Sequence, residues 1–251
     1  MLAGTEPYVS SPTALSASPL LPAAERRRIG IPVKLALAVA QEACAHARRD
    51  PASVATVFTS SSGDGETVHH IFESLASPGR EVSPTRFHNS VHNAAAGYWS
   101  IATQSRQPST SLCCYDASFG AGLLDAATQA AVDHTPVALI AYDHPYPEPL
   151  HSKRPVCGAF GVAFVLAPQP TERTLATVEL TYSVGPSQPT RMSDPALEAL
   201  RAGIPAARSL PLLAALARQE GGLIVFELSA SNHLSMHLAP TVHCSQRKHV
   251  R

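Results

Sequence analysis

The sequence has no excess of charge of either sign and no long uninterrupted apolar stretch. Lysine and arginine together number 19, as do aspartate and glutamate, and charged residues are 15% of the 251 positions. Without an overall basic field, broad binding to nucleic acid is not expected. No apolar run reaches the roughly 18 residues that a membrane-spanning helix needs, and the first residues lack the basic start of a secretion signal. We therefore expect a soluble, cytoplasmic protein.

Cysteine is scarce, and its spacing is not that of a zinc site or a disulfide framework. The five cysteines are odd in number and include no CxxC pair. Thiols of this kind, placed mostly in apolar runs, are typical of buried cysteines in a reducing compartment. Neither a metal nor another cofactor is therefore predicted. The cysteines are Cys44, Cys113, Cys114, Cys157 and Cys244.

A hydrophobic fraction of 45% is enough for a real core in a chain of this length. Segments with the pattern of a strand alternate with segments of helical pattern, and no internal repeat is visible. This alternation predicts a layered α/β fold with right-handed crossovers. Strands are predicted over residues 54–58, 109–114, 137–142, 157–166, 174–184, 223–228 and 233–238, and helices over 31–49, 67–75, 90–104, 117–133, 194–201 and 206–219.

Two short motifs have both a chemical and a structural interpretation. The segment SSSGDGET lies between a strand and a helix, where backbone donors can bind phosphate. It lacks the lysine of a P-loop and the third glycine of a dinucleotide fingerprint, so a tight turn is favoured. His88 and His92 have the i, i+4 spacing of a metal-binding pair, but no acidic residue accompanies them, and Pro84 indicates that His88 precedes the helix. A structural role is favoured for both motifs.

Ser118, in the segment DASFG, half-resembles the GxSxG turn of serine hydrolases, because it also follows a strand and begins a helix. Asp116 replaces the first glycine, which the strained turn tolerates less well. A hydrolase also needs an acid and a histidine later in the chain, and none of the later histidines lies in a recognisable context. A serine hydrolase that uses Ser118 is kept as an alternative.

The segments SPTRFHNSVHNAAAGYWSIA and RQPSTSLCCYDASFGAGLL resemble the core of the ketosynthases, a branch of the thiolase-like enzymes. In that family an Asn begins the helix before the nucleophile strand, and an Ala-Gly pair follows it. Here Asn93, Ala96 and Gly97 match this helix. The family's Gly-Pro-Ser segment, which leads into the strand, is matched with one change by Gln107, Pro108 and Ser109.

The same resemblance identifies the position of the family's reactive cysteine. Counting from Pro108 without a gap, that position falls on Asp116, and Ser118 takes the place of the trailing serine. Cys113 and Cys114 fall short of it. A carboxylate suits the start of a helix but does not accept an acyl group from a thioester as a low-pKa thiolate does. The family's HGT and NxxGH-like histidine motifs are also missing, so the resemblance implies a chain that is inactive alone.

Longer segments point to one group within that family. PAAERRRIGIPVKLALAVAQEA, VFTSSSGDGETVHHIFESLA and LIAYDHPYPE resemble the short ketosynthase-like proteins of bacterial aryl polyene pathways, over about residues 22–166. That group implies a thiolase-like layered α/β sandwich, reduced to the first half of a ketosynthase with a shortened C-terminal part. On this basis the chain divides into an irregular arm (1–24), a ketosynthase-like α/β domain (25–168), a reduced extension of helices and a hairpin (169–240) and a polar tail (241–251).

The implied role is that of a noncatalytic, chain-length-factor-like partner of a 3-oxoacyl-[acyl carrier protein] synthase. The partners would be a catalytic ketosynthase, in a heterodimer, and an acyl carrier protein that brings the growing chain. No cofactor, nucleic acid or membrane span is implied. A self-sufficient condensing enzyme that uses Cys113 or Cys114 is kept as a second alternative.

In thiolase-like dimers the strand corresponding to 109–114 pairs across the two-fold axis. Nearby side chains are therefore expected to line the acyl tunnel or the interface. For Tyr98 and Trp99, an ordinary place in the core is an equal alternative. Arg26, Arg27 and Arg28 are expected either to meet an acidic carrier protein or the partner, or to form a solvated cluster. The candidate tunnel and interface residues are Phe87, Asn93, Tyr98, Trp99, Cys114, Tyr115 and Phe119.

Overall fold

The computed structural model describes residues 1–11, 13, 15 and 20–241. Within them, two β-sheets alternate with layers of helices. The strands are β1 (Ala55–Thr59), β2 (Ser109–Leu112), β3 (Val137–Asp143), β4 (Phe160–Leu166), β5 (Ala176–Val184), β6 (Gly222–Ser229) and β7 (Asn232–Pro240). The helices are α1 (Ala23–Arg26), α2 (Ile31–His46), α3 (Gly65–Ala76), α4 (Pro84–Asn89), α5 (Ala94–Thr103), α6 (Ser118–Asp133), α7 (Leu150–Lys153), α8 (Pro195–Gly203) and α9 (Leu210–Arg218).

The first sheet has the strand order β2-β1-β3-β4. β1 pairs in parallel with β2 and β3, and β4 pairs antiparallel with β3. Every residue of β1 and β3 is buried, because α2 and α5 cover one face of the sheet and α6 covers the other. Burial on both faces explains why β3 is a nearly continuous apolar run rather than an alternating one, and why β1 is apolar except for its two threonines.

Helix α6 packs very close to the first sheet because it presents a glycine there. A Cβ atom on Gly122 would lie 2.8 Å from Cγ2 of Thr59 and 3.0 Å from Cδ1 of Leu139. The hydroxyl of Thr59 also donates to the carbonyl of Ser118 at 2.7 Å, which fixes the first turn of the helix. The small residues of α6 therefore set the distance between helix and sheet.

The second sheet has the order β5-β7-β6 and is antiparallel throughout. Its inner face packs on the opposite side of α6, where Phe226 meets Phe119 at a ring distance of 5.4 Å. β5 is largely exposed. The layered α/β arrangement and the predicted hairpin of residues 223–238 are confirmed.

Several predicted boundaries were wrong. The helix predicted over 90–104 begins only at Ala94, as α5, because residues 90–93 form a turn; the short helix α4 before that turn was not predicted. The strand predicted over 109–114 ends at Leu112, where the chain turns into the 3-10 helix Tyr115–Ala117. The helix predicted over 31–49 ends at His46, and the one predicted from residue 206 begins as the 3-10 helix Pro205–Ser209.

Residues 1–11 have no helix or strand, in keeping with an irregular arm, although Leu2 and Tyr8 pack against a buried cluster. Residues 242–251 of the predicted tail, with Cys244, lie outside the described part of the chain. In the part that is described, no helix has both the length and the apolar character to cross a membrane.

Candidate functional site

Asp143, at the end of β3, is the polar centre of the edge where β1, β2 and β3 end. Its side chain is 1% exposed and accepts hydrogen bonds from the backbone and hydroxyl of Ser61, at 2.8 and 2.7 Å, and from the amide of Ala206 at 2.7 Å. The hydroxyl of Ser60 approaches the same carboxylate at 3.3 Å. Burial raises the pKa of Asp143, while these hydrogen bonds act in the opposite direction. Asp143 thus joins three segments of the chain and has a structural role.

The SSSGDGET segment is a closed turn that uses its own donors. The hydroxyl of Ser60 accepts from the amide of Gly63 at 3.0 Å. Asp64 caps α3 by accepting from the amide and the hydroxyl of Thr67, at 3.0 and 2.9 Å. Backbone groups that a phosphate would need are therefore already bonded within the turn. The favoured interpretation, a tight turn between strand and helix, agrees with this geometry.

His88 and His92 do not share a helical face, because α4 ends at Asn89. The Nε2 atom of His92 lies 3.1 Å from the carbonyl oxygen of Leu112, so this ring holds the end of β2. Throughout the described residues there is no group of three or more His, Cys, Asp or Glu side chains placed to hold a metal ion. The structure therefore gives His92 the bonding role that the sequence favoured.

Asp116 lies in the short 3-10 helix that precedes α6, and two arginines surround it. Its Oδ1 atom is 2.9 Å from Nη2 of Arg154, and its Oδ2 atom is 3.5 Å from Nη2 of Arg208. The guanidinium of Arg154 also lies over the ring of Tyr115, 3.3 Å from its centroid. The Asp116 side chain is 44% exposed. It is a carboxylate neutralised by ion pairs, not a group prepared for nucleophilic attack.

Arg154 is held firmly in its charged state. Burial acts to lower its pKa, but hydrogen bonds to Tyr146 and Asp116 outweigh that effect and raise it. Sequence reasoning did not select Arg154 or Arg208. Both lie far from Asp116 along the chain, in segments without a motif, so no local pattern could have connected them to it.

Ser118 closes the turn between β2 and α6 from inside. Its oxygen accepts from the amide of Cys114 at 3.1 Å, and its hydroxyl donates to the carbonyl of Tyr115 at 2.7 Å. Tyr115 has a φ of 53°, which this turn requires and which a side chain adopts only at a cost. Because the single hydroxyl proton of Ser118 goes to a backbone carbonyl and the residue is buried, the geometry does not favour a serine hydrolase.

Cys113 and Cys114 are exposed thiols at the end of β2. The thiol of Cys113 donates to the carbonyl of Ser61 at 3.2 Å. The pKa of Cys114 is raised, mainly by partial burial of its own sulfur and also by the neighbouring Cys113. A reactive condensing-enzyme cysteine needs the opposite shift, toward the thiolate. Cys114 therefore does not have the environment of a nucleophile.

The candidate tunnel and interface residues fall into two groups. Tyr98, Trp99 and Phe119 are buried in the core of this chain, and the hydroxyl of Tyr98 donates to Oδ1 of Asn89 at 2.9 Å. The core alternative for Tyr98 and Trp99 agrees with this burial. The exposed members of the set are Phe87, which is 68% exposed, Asn93, Cys114 and Tyr115.

Solved structures with this fold belong to ketosynthase systems. A ketosynthase in complex with its chain length factor from Xenorhabdus doucetiae has a TM-score of 0.69 at 23% identity, covering 94% of this chain and 90% of that one. A type II polyketide synthase acyl-carrier protein in complex with its ketosynthase has a TM-score of 0.71 at 12% identity, covering 96% of this chain and 92% of that one. The ishigamide ketosynthase/chain length factor gives 0.68 at 13% identity, covering 90% and 85%. At such identities the likeness shows the fold.

A comparison with curated proteins gives no match. The profile of the beta-ketoacyl synthase N-terminal domain, in contrast, matches residues 4–222, which is most of the sequence. This match agrees with the thiolase-like α/β fold and with the resemblance of the helix and strand that precede Asp116. The chain therefore belongs to the beta-ketoacyl synthase N-terminal domain family.

Proposed function

We propose that this chain is a noncatalytic, chain-length-factor-like subunit of a 3-oxoacyl-[acyl carrier protein] synthase in the synthesis of aryl polyenes or similar acyl chains. The observation that carries the proposal is Asp116. It takes the position of the family's reactive cysteine, and its carboxylate is bonded to Arg154 and close to Arg208. A carboxylate bound in this way cannot form the acyl thioester on which condensation depends.

The free edge of the first sheet supports a role in a dimer. β2 is the terminal strand of that sheet and pairs only with β1 among the described strands. An open strand edge is a ready surface for pairing with another chain. Two of the similar solved structures are ketosynthases with chain length factors, and we infer that a catalytic ketosynthase pairs with this edge.

Exposed apolar side chains on α3 and the segment after it also support contact with a partner. Helix α3 buries none of its residues, although it contains the apolar residues Phe72 and Leu75. Both are exposed, as are Phe87 in α4 and Val91 just after it. Helices α3 and α4 contact each other, and exposed apolar side chains on neighbouring helices are typical of a protein interface. We infer that Phe87 and Tyr115, both exposed, reach the partner or its acyl tunnel, whereas the buried Tyr98, Trp99 and Phe119 hold the scaffold.

An acyl carrier protein is the second proposed partner. Arg27 and Arg28 are exposed in the turn before α2, and Arg28 keeps a surface ion pair with Glu25 at 3.0 Å. A surface pair of this type contributes little to folding, so these cations stay available to an acidic partner. One of the similar solved structures contains an acyl-carrier protein with its ketosynthase.

Co-expression with a catalytic ketosynthase from the same organism tests the proposal. We expect the two chains to co-purify at a 1:1 ratio by size-exclusion chromatography, and the isolated chain to form no covalent adduct with acyl or malonyl carrier protein by mass spectrometry. The double variant Cys113→Ala, Cys114→Ala should leave the condensing activity of the pair intact. An acyl thioester on either cysteine would contradict the proposal in favour of an active enzyme.

A proline in β2 tests the pairing edge itself. The amide of Thr56 donates to the carbonyl of Pro108, and that of Ser60 approaches the carbonyl of Leu112. Since backbone groups alternate in direction along a strand, the N–H of Ser111 points away from β1. Ser111→Pro should therefore spare the fold of this chain but remove a donor at the interface. We expect co-purification to fall at least about tenfold, since one or more hydrogen bonds and the close strand contact are lost.

Ser111→Ala is the matched control, because it changes the same side chain and keeps the amide. It should co-purify as the wild type does. Circular dichroism and thermal unfolding of Ser111→Pro alone should match the wild type. Full co-purification of a folded Ser111→Pro variant would contradict pairing through β2.

A further inference from the structure

Two arginines of this protein meet carboxylates in different ways. Arg201 uses the side of its guanidinium that carries Nε and Nη2, and each of these atoms bonds one oxygen of Glu198 at 2.7 Å. In its pair with Asp116, Arg154 uses only Nη2, at 2.9 Å, while Tyr146 is a second hydrogen-bond partner of its guanidinium. Its Nε atom is buried and has no acceptor. The same edge of the guanidinium is therefore fully used in one pair and half used in the other.

A second arginine near Asp116, Arg208, also has hydrogen-bond donors that make no short bond to a carboxylate. Arg208 lies 3.5 Å from Oδ2 of Asp116 and 3.9 Å from Oε2 of Glu227, distances beyond those of good charge-assisted hydrogen bonds. Two guanidinium groups and two carboxylates thus lie together, and among these pairs only the bond between Arg154 and Asp116 is short. The side chains of Arg154 and Arg208 are both mostly buried, so water screens these charges only in part.

We propose that Arg154 and Arg208 form a binding site for a small oxyanion, and that the chain's own Asp116 occupies it. The ligand class is a planar carboxylate, which can bond Nη2 and Nε of Arg154 together, as Glu198 does with Arg201. Asp116 bonds only one of these atoms, Nη2. The carboxylate of Asp116 therefore fills the site but leaves the Nε donor of Arg154 without an acceptor. This inference rests on the ion-pair geometry and does not depend on the partner role.

The consequence for the protein is a blocked site at the start of α6. Without Asp116, the two arginines would attract free carboxylates to the place where the family's acyl chemistry begins. With Asp116 in position, an incoming carboxylate meets a negative charge that already holds both cations. The substitution thus removes the nucleophile and closes the anion site with a single side chain.

Chemical rescue by formate tests the site. Asp116→Ala leaves a vacancy of carboxylate size beside Arg154, and we expect a lower melting temperature than that of the wild type. Sodium formate should restore most of this loss, whereas sodium chloride at the same ionic strength should not. By isothermal titration calorimetry, formate should bind the variant at least about tenfold more tightly than the wild type, as expected for regaining charge-assisted hydrogen bonds.

Three variants separate this site from a general effect of salt. Asp116→Ala, Arg154→Gln lacks the guanidinium and should show no rescue by formate. Asp125→Ala removes an aspartate within α6, one that accepts from the side-chain amide of Gln129 at 2.8 Å, and formate should not change the stability of this variant. Asp116→Asn keeps the volume of the side chain and replaces the alanine variant if that variant does not fold. Formate should stabilise Asp116→Asn more than it stabilises the wild type. Equal effects of formate on wild type and Asp116 variants would overturn the proposal.

Discussion

The two sheets of this protein are stabilised in different ways. In the first sheet, β1 and β3 are buried along their whole length between helices on both faces. In the second sheet, one face packs on α6 and the edge strand β5 remains largely exposed. The second sheet therefore depends on its contact with α6, whereas the first is enclosed by its own helices. The residues that join the two regions should matter most for stability.

Asp143→Ala should give the largest loss, because Asp143 connects the end of β3 to the segment that leads into α9. Its removal leaves buried donors of Ser61 and Ala206 without an acceptor. We expect the free energy of unfolding to fall by roughly 3–5 kcal/mol, since each unsatisfied buried donor costs of order 1–3 kcal/mol. Urea unfolding followed by circular dichroism measures this loss.

The matched control for that variant is Asp194→Ala at the start of α8. Asp194 caps the helix by accepting from the amides of Ala196 and Leu197, but these groups reach water when it is removed. A loss of about 1 kcal/mol is expected for such an exposed cap. Equal losses in the two variants would mean that burial of Asp143 is not what makes it important.

Gly122→Val tests how closely α6 must approach the first sheet. The new side chain would meet Thr59 and Leu139 at 3.0 Å or less, so the helix or the strands must shift. We expect a loss of about 2–3 kcal/mol, typical of overpacking in a buried contact. The chevron or equilibrium unfolding curve in urea would detect it.

Gly97→Ala in α5 is the comparison for Gly122→Val. No atom lies within 4 Å of a Cβ added to Gly97, and alanine is the better helix former. The variant should be more stable than the wild type by about 0.5–1 kcal/mol. A similar loss at both glycines would contradict the close approach of α6 as the cause.

Much of the first sheet could be predicted from the sequence. The apolar runs around β1 and β3 and the small residues of α6 have patterns that favour buried strands and a close-packed helix. The predicted boundaries failed where the chain changes direction, as at Leu112, because the left-handed conformation of Tyr115 has no signal in a non-glycine residue. Likewise Asn93 predicts a helix start, but not the turn that separates α4 from α5.

The candidate site could be predicted only in part. The resemblance to ketosynthases identified Asp116 and Ser118; in the structure Asp116 lies in the 3-10 helix before α6 and Ser118 is the first residue of α6. The partners of Asp116 could not be predicted, because Arg154 and Arg208 come from segments without a motif and meet Asp116 only in the folded chain. Asp143 was missed for a related reason. An aspartate at the end of a buried strand indicates a bonded carboxylate, but its donors lie on other segments.

Glu198→Gln, in α8, should have a smaller effect than Asp143→Ala or Gly122→Val, and its effect depends on pH. The bidentate bond with Arg201 holds the pKa of Glu198 at about 2, below its ordinary value of 4.5. A carboxylate with a lowered pKa stabilises the fold fully above pH 4.5, and this contribution is lost as the pH falls toward 2. At pH 7 the variant should lose about 1–2 kcal/mol, because a charge-assisted pair becomes a neutral one.

The pH dependence separates this pair from an ordinary surface charge. The stability of the wild type should fall between pH 4.5 and pH 2, and the difference from Glu198→Gln should vanish over that range. Glu220→Gln is the control, since its carboxylate is 63% exposed and lies 3.8 Å from Arg218, so little change is expected at any pH. A difference between wild type and Glu198→Gln that persists at pH 2 would mean that the side chain acts by packing, and that its ion pair with Arg201 contributes little.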